Sequence, residues 1–467
     1  MTNAAFRELM DIRGKGDPES GAVSISGADP VFSTRFKIGE TCASVLGAIG
    51  VATSDIWRER TGRGQQASID ARHAAATLRS AHYLRAKGKD GAYELLGRDA
   101  DAVQSQNITQ PWQSKDGRWV LPHFGLPHLR DRVLGVLNCE PTPDSVSRAV
   151  SQWDALDLEN AIDEARACGG MVRANSEWLD HPHGQALAAK PVVEITKIGD
   201  SEPEPFEVGP DVRPLSGIRV LDLTRILAGP IAARTLAEHG ADVMMVAAAD
   251  TPQIKNFVMD TCHGKRSCFL DLATTDGVEA LQALVRNADV FSQGYRPGVL
   301  NARGFGPEQL AALRPGLIYT SINCFGYDGP FKHRGGWEQV AQTVTGICNE
   351  GHPDHPALLP AAACDYTTGY LGAYGVLLAL AHRAREGGSY HVKVSLCQSG
   401  MFIYRQGKTD FTESDMDLSP AEIDAIQIKS STGHGVLKHL GPVLRLSETQ
   451  PGWSQPTPVL GSSAPAW

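Results

Sequence analysis

"IRVLDLTRILAGPIAARTLAEHGADVMMV", residues 218–246, is the stretch whose reading decides the fold. An apolar run, IRVLDL (218–223), is followed by a turn, TRILAGP, then by a small-residue helical stretch, IAARTLAEHG, closed by Gly240, and a second apolar run, DVMMV (242–246). Two strands separated by a helix make a parallel crossover, since a tight hairpin joins only antiparallel neighbours. The alternation continues: SCFLDL (267–272) reads as a strand, 276–286 as a helix, DVFSQG (289–294) as a strand, a helix lies near 307–313, and LIYTSINCFG (317–326) is a strand. This predicts an α/β fold with a doubly wound, mostly parallel Rossmann-like sheet, whose ligands bind beyond the carboxyl ends of the strands. No GxGxxG follows IRVLDL, so the dinucleotide fingerprint of an oxidoreductase is absent.

Outward from this core the chain changes character. IGDSEPEPFEVGPDVRPLSG (198–217) is rich in Pro and acids and has no periodicity, the mark of a linker. Before it, 39–57 is helical, GQQASIDA (64–71) is a strand, and SKDGRWVLPHFG (114–125) carries the D-G signature of a hairpin. Helices over 126–137 and 155–167 and a strand at PVVEITKIG (191–199) complete the first half. The expected division is a helical arm over 1–107, a small α+β domain over 108–200, a linker over 201–214, the Rossmann-like domain over 215–410 and a C-terminal tail over 411–467.

The bulk numbers agree with this division. A chain of 467 residues exceeds what one core usually serves, and 42% hydrophobic with 21% charged residues fits a globular protein. A net charge of −9 argues against a broad nucleic-acid footprint and leaves room for a local basic pocket. No run of about 20 apolar residues offers a membrane span, and the N-terminus has no signal-peptide h-region. The nine cysteines are scattered without a CxxC and read as reduced thiols, so the expected location is cytoplasmic. GHPDHP (351–356) reads as a Pro-rich loop rather than a metal site, and no metal is expected.

One unit occurs twice. LGAIGV (46–51) recurs as LGAYGV (371–376), Arg58 matches Arg383, Arg60 matches Arg385, and Gly62 matches Gly387, all without a gap. Over 40–71 against 365–396, eight of 32 positions are identical. Each copy opens on an acid, Glu40 or Asp365, followed by a small-residue helix, an Arg-x-Arg turn and a strand. An acid in a first helical turn is either a cap or, near apolar walls, a nucleophile. From the residues alone both readings of Asp365 stay open. Glu40 is expected to be a cap.

LSGIRVLDLTRILAGP, GADVMMV, HGKRSCFLDL, ADVFSQGYRPGVLNARGFGPEQLAALRPGLIYTSINCFGYDGP and GGWEQVAQTVTGI, taken in order, resemble the nucleotide-fold half of the family III CoA-transferases, the formyl-CoA and carnitine-CoA transferase group. CDYTTGYLGAYGVLLALAHRAREGGSYHVKVSL is similar to the segment around that family's catalytic aspartate, and WRERTGRGQQASIDA to its strand entry. Residues 108–200, with RANSEWLDHPHGQAL, look like its small domain. The order is permuted, since in the family the nucleotide-fold half comes first.

The resemblance implies the family fold, a homodimer of interlocked chains, and CoA transfer from an acyl-CoA to a carboxylic acid, with coenzyme A as substrate and no permanently bound cofactor. It makes Asp365 the nucleophile that carries the acyl group and then CoA in turn, with the backbone of a Gly-rich loop steadying each oxyanion. It puts Lys265 and Arg266 of HGKRS against CoA, where the plain reading is a solvated pair. It also puts QGYRPG (293–298) against CoA, with Tyr295 stacking, Arg296 pairing with phosphate and Gly298 completing the turn, where the plain reading is an ordinary Pro-Gly turn.

Several positions depart from the family pattern. AAADTPQ (247–253) replaces an acid followed by Pro and Gly-Asp, Gln293 replaces a common Glu, and Trp337 stands where the racemase branch has a catalytic His. Tryptophan exchanges no proton with an α-carbon, which disfavours the isomerase or racemase alternative. A non-catalytic CoA-binding homologue is the third reading. Cys364 is read as a packed thiol.

Overall fold

Seven strands form the main sheet: β1 (Glu194–Gly199), β2 (Arg219–Leu223), β3 (Asp242–Ala247), β4 (Lys265–Phe269), β5 (Val290–Gln293), β6 (Ile318–Asn323) and β7 (Ser389–Ser395). The structure is a computed structural model that describes residues 3–97, 100–209, 212–352, 354–410 and 417–467. Parts of the expected arm, linker, His-Pro loop and tail, at 1–2, 98–99, 210–211, 353 and 411–416, lie outside the described residues.

The sheet order is β4-β3-β2-β5-β6-β7-β1, with β1 antiparallel to β7 and all other neighbours parallel. Alternate residues feed two cores because successive side chains leave a strand on opposite faces. Val220, Val243, Val290 and Ile318 join the larger core, while Leu221, Met244, Phe291 and Tyr319 join the other. Burial on both faces explains why these strands read as continuous apolar runs. The strand order reverses direction between β2 and β5, and the loops after these two strands open the crevice where an open α/β sheet binds its ligand.

Some boundaries moved. Helix α2 (Ala228–Glu238) takes in the last three residues of the expected turn, since Pro230 falls among the first N–H groups of a helix, which need no partner inside it. β4 begins two residues earlier than SCFLDL and includes Lys265 and Arg266. The strand in PVVEITKIG leaves the small domain and becomes β1 at the edge of the main sheet, with Ile195 against the larger core.

The small domain has its own core, in which Val120, Phe124, Val133, Val146, Leu158 and Ile162 pack between a three-stranded sheet (Trp112–Gln113, Trp119–Pro122, Gly169–Met171) and the helices Pro127–Leu137, Pro143–Val150 and Ala155–Glu164. The chain beyond 417 is structured rather than a tail. Strands Gln427–Thr432 and Gly435–Leu440 pair with Arg85–Lys87 and Tyr93–Leu95 in a four-stranded sheet. The last residues run beside β4. Gly461 donates to Ser267 Oγ, Ser463 N to Ser267 O, and the Trp467 indole to Leu284 O. They cover an edge that would otherwise offer unpaired backbone groups.

Helices α1 (Ile38–Thr61) and α4 (Ala363–Glu386) each have 24 residues and are entered through near-identical backbone, φ −78°, ψ 60° at Lys37 and φ −82°, ψ 59° at Ala362. Glycine permits close packing at matching places: a Cβ at Gly50 would lie 2.6 Å from Ala67 Cβ, and one at Gly375 2.5 Å from Val392 Cγ1. Val23–Ser26, Ala67–Asp70 and Arg445–Leu446 pair parallel and then antiparallel, as β6, β7 and β1 do.

Candidate active site

Asp365 is the third residue of α4, at the carboxyl end of the sheet, and is 8% exposed. The cap of this helix comes from another acid. Glu338, first residue of helix α3 (Glu338–Thr345), accepts the N–H groups of Cys364, at 3.0 Å, and of Asp365. The Gln342 amide donates to Glu338 Oε1 at 2.6 Å, and its own oxygen takes Leu359 N–H at 2.8 Å. Glu338 thus takes the N–H groups of Cys364 and Asp365, and the Asp365 carboxyl has no hydrogen bond to any described residue. It is therefore a buried acid with no structural task. Burial, and after it the neighbouring Glu338 charge, hold its pKa well above the usual carboxylate range. Glu338 is itself pushed up to about 6 by burial.

Around this pair lie Cys324, Cys364 and the Gly335-Gly336-Trp337 turn. A Cβ at Gly336 would meet Cys324 Sγ at 2.3 Å, so a glycine is required for the turn to reach this close to β6. Cys364 is buried and its thiol is held well above its normal pKa by burial, which keeps it from acting as a thiolate. The small domain closes the other side. His123 stacks on Trp337 with ring centroids 4.7 Å apart. The imidazole is neutral, its pKa lowered to about 4 by burial, and it accepts Gly125 N–H at Nδ1 while Nε2 faces Gln339 Oε1 at 3.0 Å.

The loop after β5 lies at the crevice. Gln293 is buried and acts as its anchor: Oε1 accepts Tyr295 N–H at 2.7 Å, and Nε2 donates to Ser321 Oγ and Tyr327 Oη, both at 3.0 Å. Tyr295 is 37% exposed, a ring available for stacking. Gly298 adopts φ +87°, which a side chain would strain. From the loop after β2, Ile226 (φ +73°) reaches the same crevice. A non-glycine residue in that region is held there by its surroundings, here Leu126, Leu129 and Cys168.

Two expected contacts are elsewhere. Lys265 is fully buried, its Nζ 2.9 Å from both Asp222 Oδ2 and Pro230 O. Arg266 pairs with Asp242 at 2.7 Å, bonds Ala466 O and stacks over Trp467. Both residues begin β4, but Arg266 stays at the starting edge of the strands beside Asp242, the first residue of β3, whereas the Lys265 side chain runs up to Asp222, near the carboxyl end of β2, and to the first turn of α2. Lys265 is spent on a fully buried ion pair and Arg266 on Asp242, so neither is a free cation. Among the described residues no three His, Cys, Asp or Glu side chains gather as a metal site, and no helix is long and apolar enough to cross a membrane.

Glu40 also differs from expectation. Asp29 caps α1, accepting Gly39 N–H at 3.2 Å and Glu40 N–H at 2.7 Å, while Glu40 Oε1 accepts Asp29 N–H at 3.2 Å and Oε2 faces Lys37 at 3.8 Å. Asp29 and Glu40 thus stand to α1 as Glu338 and Asp365 stand to α4, except that Glu40 spends its carboxylate on structure. Sequence reasoning singled out neither Glu338 nor Asp29. The available signal was an acid flanked by turn residues and followed at a distance by a small-residue helix, which cannot be told from a solvated loop acid until the chain folds back.

Residues 215–422 match the model for CoA-transferase family III. Over 332 residues the chain is 34% identical to an acetyl-coenzyme A transferase, nodX, of Hypoxylon pulicicidum, covering 65% of this chain and 55% of that one. It is 32% identical to an acyl-CoA transferase of Gibberella moniliformis, covering 67% of this chain and 63% of that one. A succinyl-CoA:glutarate CoA-transferase of Mus musculus is 34% identical over 206 residues, 40% of this chain and 46% of that one. The chain therefore spans about half to three-fifths of the length of these curated relatives. Among solved structures, Rv3272 of M. tuberculosis is similar at 30% identity and a TM-score of 0.39, covering 42% of this chain and 57% of that one.

Proposed function

We propose that this chain transfers CoA between an acyl-CoA and a carboxylic acid, with Asp365 as nucleophile. The observation that carries this is the buried Asp365 carboxyl, set at the carboxyl end of an α/β sheet with its helix capped by another acid and no hydrogen bond of its own. A perturbed acid in a crevice, without a structural task, is a functional-site signature. It stands in the stretch that matches the family model, and the relatives carry CoA-transferase names.

In the proposed reaction an Asp365 oxygen attacks the thioester carbon and CoA leaves as thiolate. The thiolate then attacks the aspartyl carbonyl, the first acid leaves, and the acceptor carboxylate repeats the sequence in reverse. Covalent catalysis divides one exchange into smaller steps. The Gly335-Gly336 turn is the proposed oxyanion neighbour, the Tyr295–Gly298 loop the proposed bed for CoA, and Arg296 the cation for an anionic substrate group. The proposed assembly is a homodimer. Incubation with isotopically labelled acyl-CoA, followed by peptide mass spectrometry, tests the scheme: the label or the mass of CoA should appear on the Asp365 peptide. A protein that discharges the thioester with no adduct there would refute it.

The raised acid gives a pH expectation. Because the Asp365 pKa is raised, its nucleophilic carboxylate form grows as pH rises, so single-turnover acylation should speed up with pH. Glu338→Gln removes the neighbouring charge, lowers the Asp365 pKa and should shift the rise to lower pH. An unmoved profile would show that the two acids do not interact.

The matching helices, glycines and strand pairings support reading the segment around α1 as a second, incomplete copy of the unit around α4, within a permuted chain. In this copy Glu40 holds the chain rather than substrate. Glu40→Gln keeps an oxygen for Asp29 N–H, and should cost well under about 1 kcal/mol and leave adduct formation on Asp365 intact. Loss of the adduct in that variant would show that both copies act in the chemistry.

A further inference from the structure

Gln293, Ser321 and His391 stand on one face of the main sheet, on the neighbouring strands β5, β6 and β7. Gln293 is in register with Ser321 and Ser321 with Lys393, and His391 lies two residues before Lys393, so alternation along the strands puts all of them on the same side. The three side chains are each more than nine-tenths buried. Polar groups persist in such a place when each is bonded. Here the bonds form a line that starts at the loop after β5. Tyr295 N–H donates to Gln293 Oε1 at 2.7 Å, Gln293 Nε2 donates to Ser321 Oγ at 3.0 Å, and Ser321 Oγ lies 2.8 Å from His391 Nε2.

The hydrogens along this line follow from what each group can do. Tyr295 N–H only donates, so the Gln293 oxygen faces it and the amide NH₂ faces Ser321. Ser321 accepts there, which leaves its single hydrogen for His391 Nε2. His391 takes it as a neutral ring: burial, and after it the charge of Lys393, lower its pKa to about 3, and the rings of Tyr319 and Tyr327 stand edge-on to it. The Tyr327 hydroxyl receives the other Nε2 hydrogen of Gln293 at 3.0 Å, but a hydroxyl donates as readily as it accepts and so tolerates either orientation of the amide.

That orientation matters to the loop. An amide turned end for end sets its NH₂ against Tyr295 N–H, two donors facing each other, and the loop loses its anchor. The loop is otherwise closely seated, since a Cβ at Gly335 would collide with the Arg296 guanidinium. Without an acceptor at position 391 the buried Ser321 hydrogen is left unbonded, a costly state. Turning that hydrogen onto the Gln293 oxygen relieves it at the expense of Tyr295 N–H.

We propose that His391 is a positioning residue for CoA transfer: by taking the Ser321 hydrogen it fixes which end of the Gln293 amide faces Tyr295, and so holds the Tyr295–Gly298 loop in the shape that receives CoA. This rests on the reading of that loop as the bed for CoA. It also ties the relay to a departure from the family pattern, in which Glu is common at this place. A carboxylate offers an oxygen at either end and has no orientation to fix. The amide of this chain does.

The test is a double-mutant cycle between positions 391 and 293, read by calorimetric titration of CoA, by kcat and KM for acyl-CoA, and by hydrogen exchange of the peptide containing Tyr295. In the wild-type chain His391→Phe should weaken CoA binding and raise KM tenfold or more, leave kcat within about threefold and speed exchange in the loop peptide. His391→Gln, which keeps an oxygen for Ser321, should recover most of the loss. In a Gln293→Glu background His391→Phe should change CoA affinity less than about twofold, whatever the affinity of that background. Melting curves show that each protein is folded, and His391→Leu makes the same comparison if the Phe ring is not accommodated. An equal loss in both backgrounds, or no rescue by Gln, would make His391 a packing residue and overturn the proposal. So would unchanged exchange and affinity in His391→Phe, with the reading of the loop as the CoA bed left standing. If loop exchange follows the cycle but the wild type binds no CoA, the relay stands and that reading falls.

Discussion

Asp365→Asn is expected to lower CoA exchange by at least about 10³-fold and to leave thermal stability unchanged or higher. The two effects have one cause. The wild-type carboxyl is buried, lacks a hydrogen-bond donor and faces the charge of Glu338, so its ionised form is held against both burial and repulsion. A neutral amide of the same shape removes the repulsion and cannot form an anhydride. A residue kept at some cost to the fold is one whose chemistry is needed. Exchange measured with labelled acyl-CoA, beside melting curves for the wild type, Asp365→Asn and Asp365→Ala, decides the point. Near-normal turnover in either variant would sink the assignment. A large fall in melting temperature for Asp365→Asn would show that the carboxylate supports the fold after all.

Lys265→Met is expected to produce the largest stability loss of the substitutions considered, about 3–5 kcal/mol. Lys265 and Asp222 are both fully buried and 2.9 Å apart, and without the ammonium Asp222 keeps only the Thr224 N–H and hydroxyl as donors. An uncompensated carboxylate in the centre of the sheet is the source of the cost. Adding Asp222→Asn should recover most of it, because replacing both charges by neutral groups of similar size removes the desolvation burden. Arg266→Ala should cost no more than about 1 kcal/mol, since its pair with Asp242 is partly exposed to water. Denaturant unfolding of the four proteins measures this, and CoA titration of the folded proteins separates the roles. A Lys265→Met variant of wild-type stability with weakened CoA binding would return Lys265 to the crevice.

These two cases mark the division between what could be read and what had to be seen. By itself the sequence determined the α/β core: the apolar runs at 218–223, 242–246 and 289–294 and the helices between them follow from periodicity, a local property of neighbouring residues. It also carried the pairing of Glu40 with Asp365, since a repeat is a comparison within one string, and it marked Asp365 as the acid to watch. It did not reveal Glu338, Asp29, Gly335 or the burial of Lys265. HGKRS has the composition of a solvated or phosphate-facing pair, and only the folded sheet shows that Lys265 is buried against Asp222 while Arg266 is paired with Asp242 at the start of β3. Whether an acid caps a helix or waits unbonded in a crevice depends on which N–H groups another segment has already taken. Here that segment is 27 residues away in sequence for Asp365 and 11 for Glu40. Such contacts form only when the chain folds back on itself, so tertiary structure alone decided that Asp365 is free and Glu40 is not.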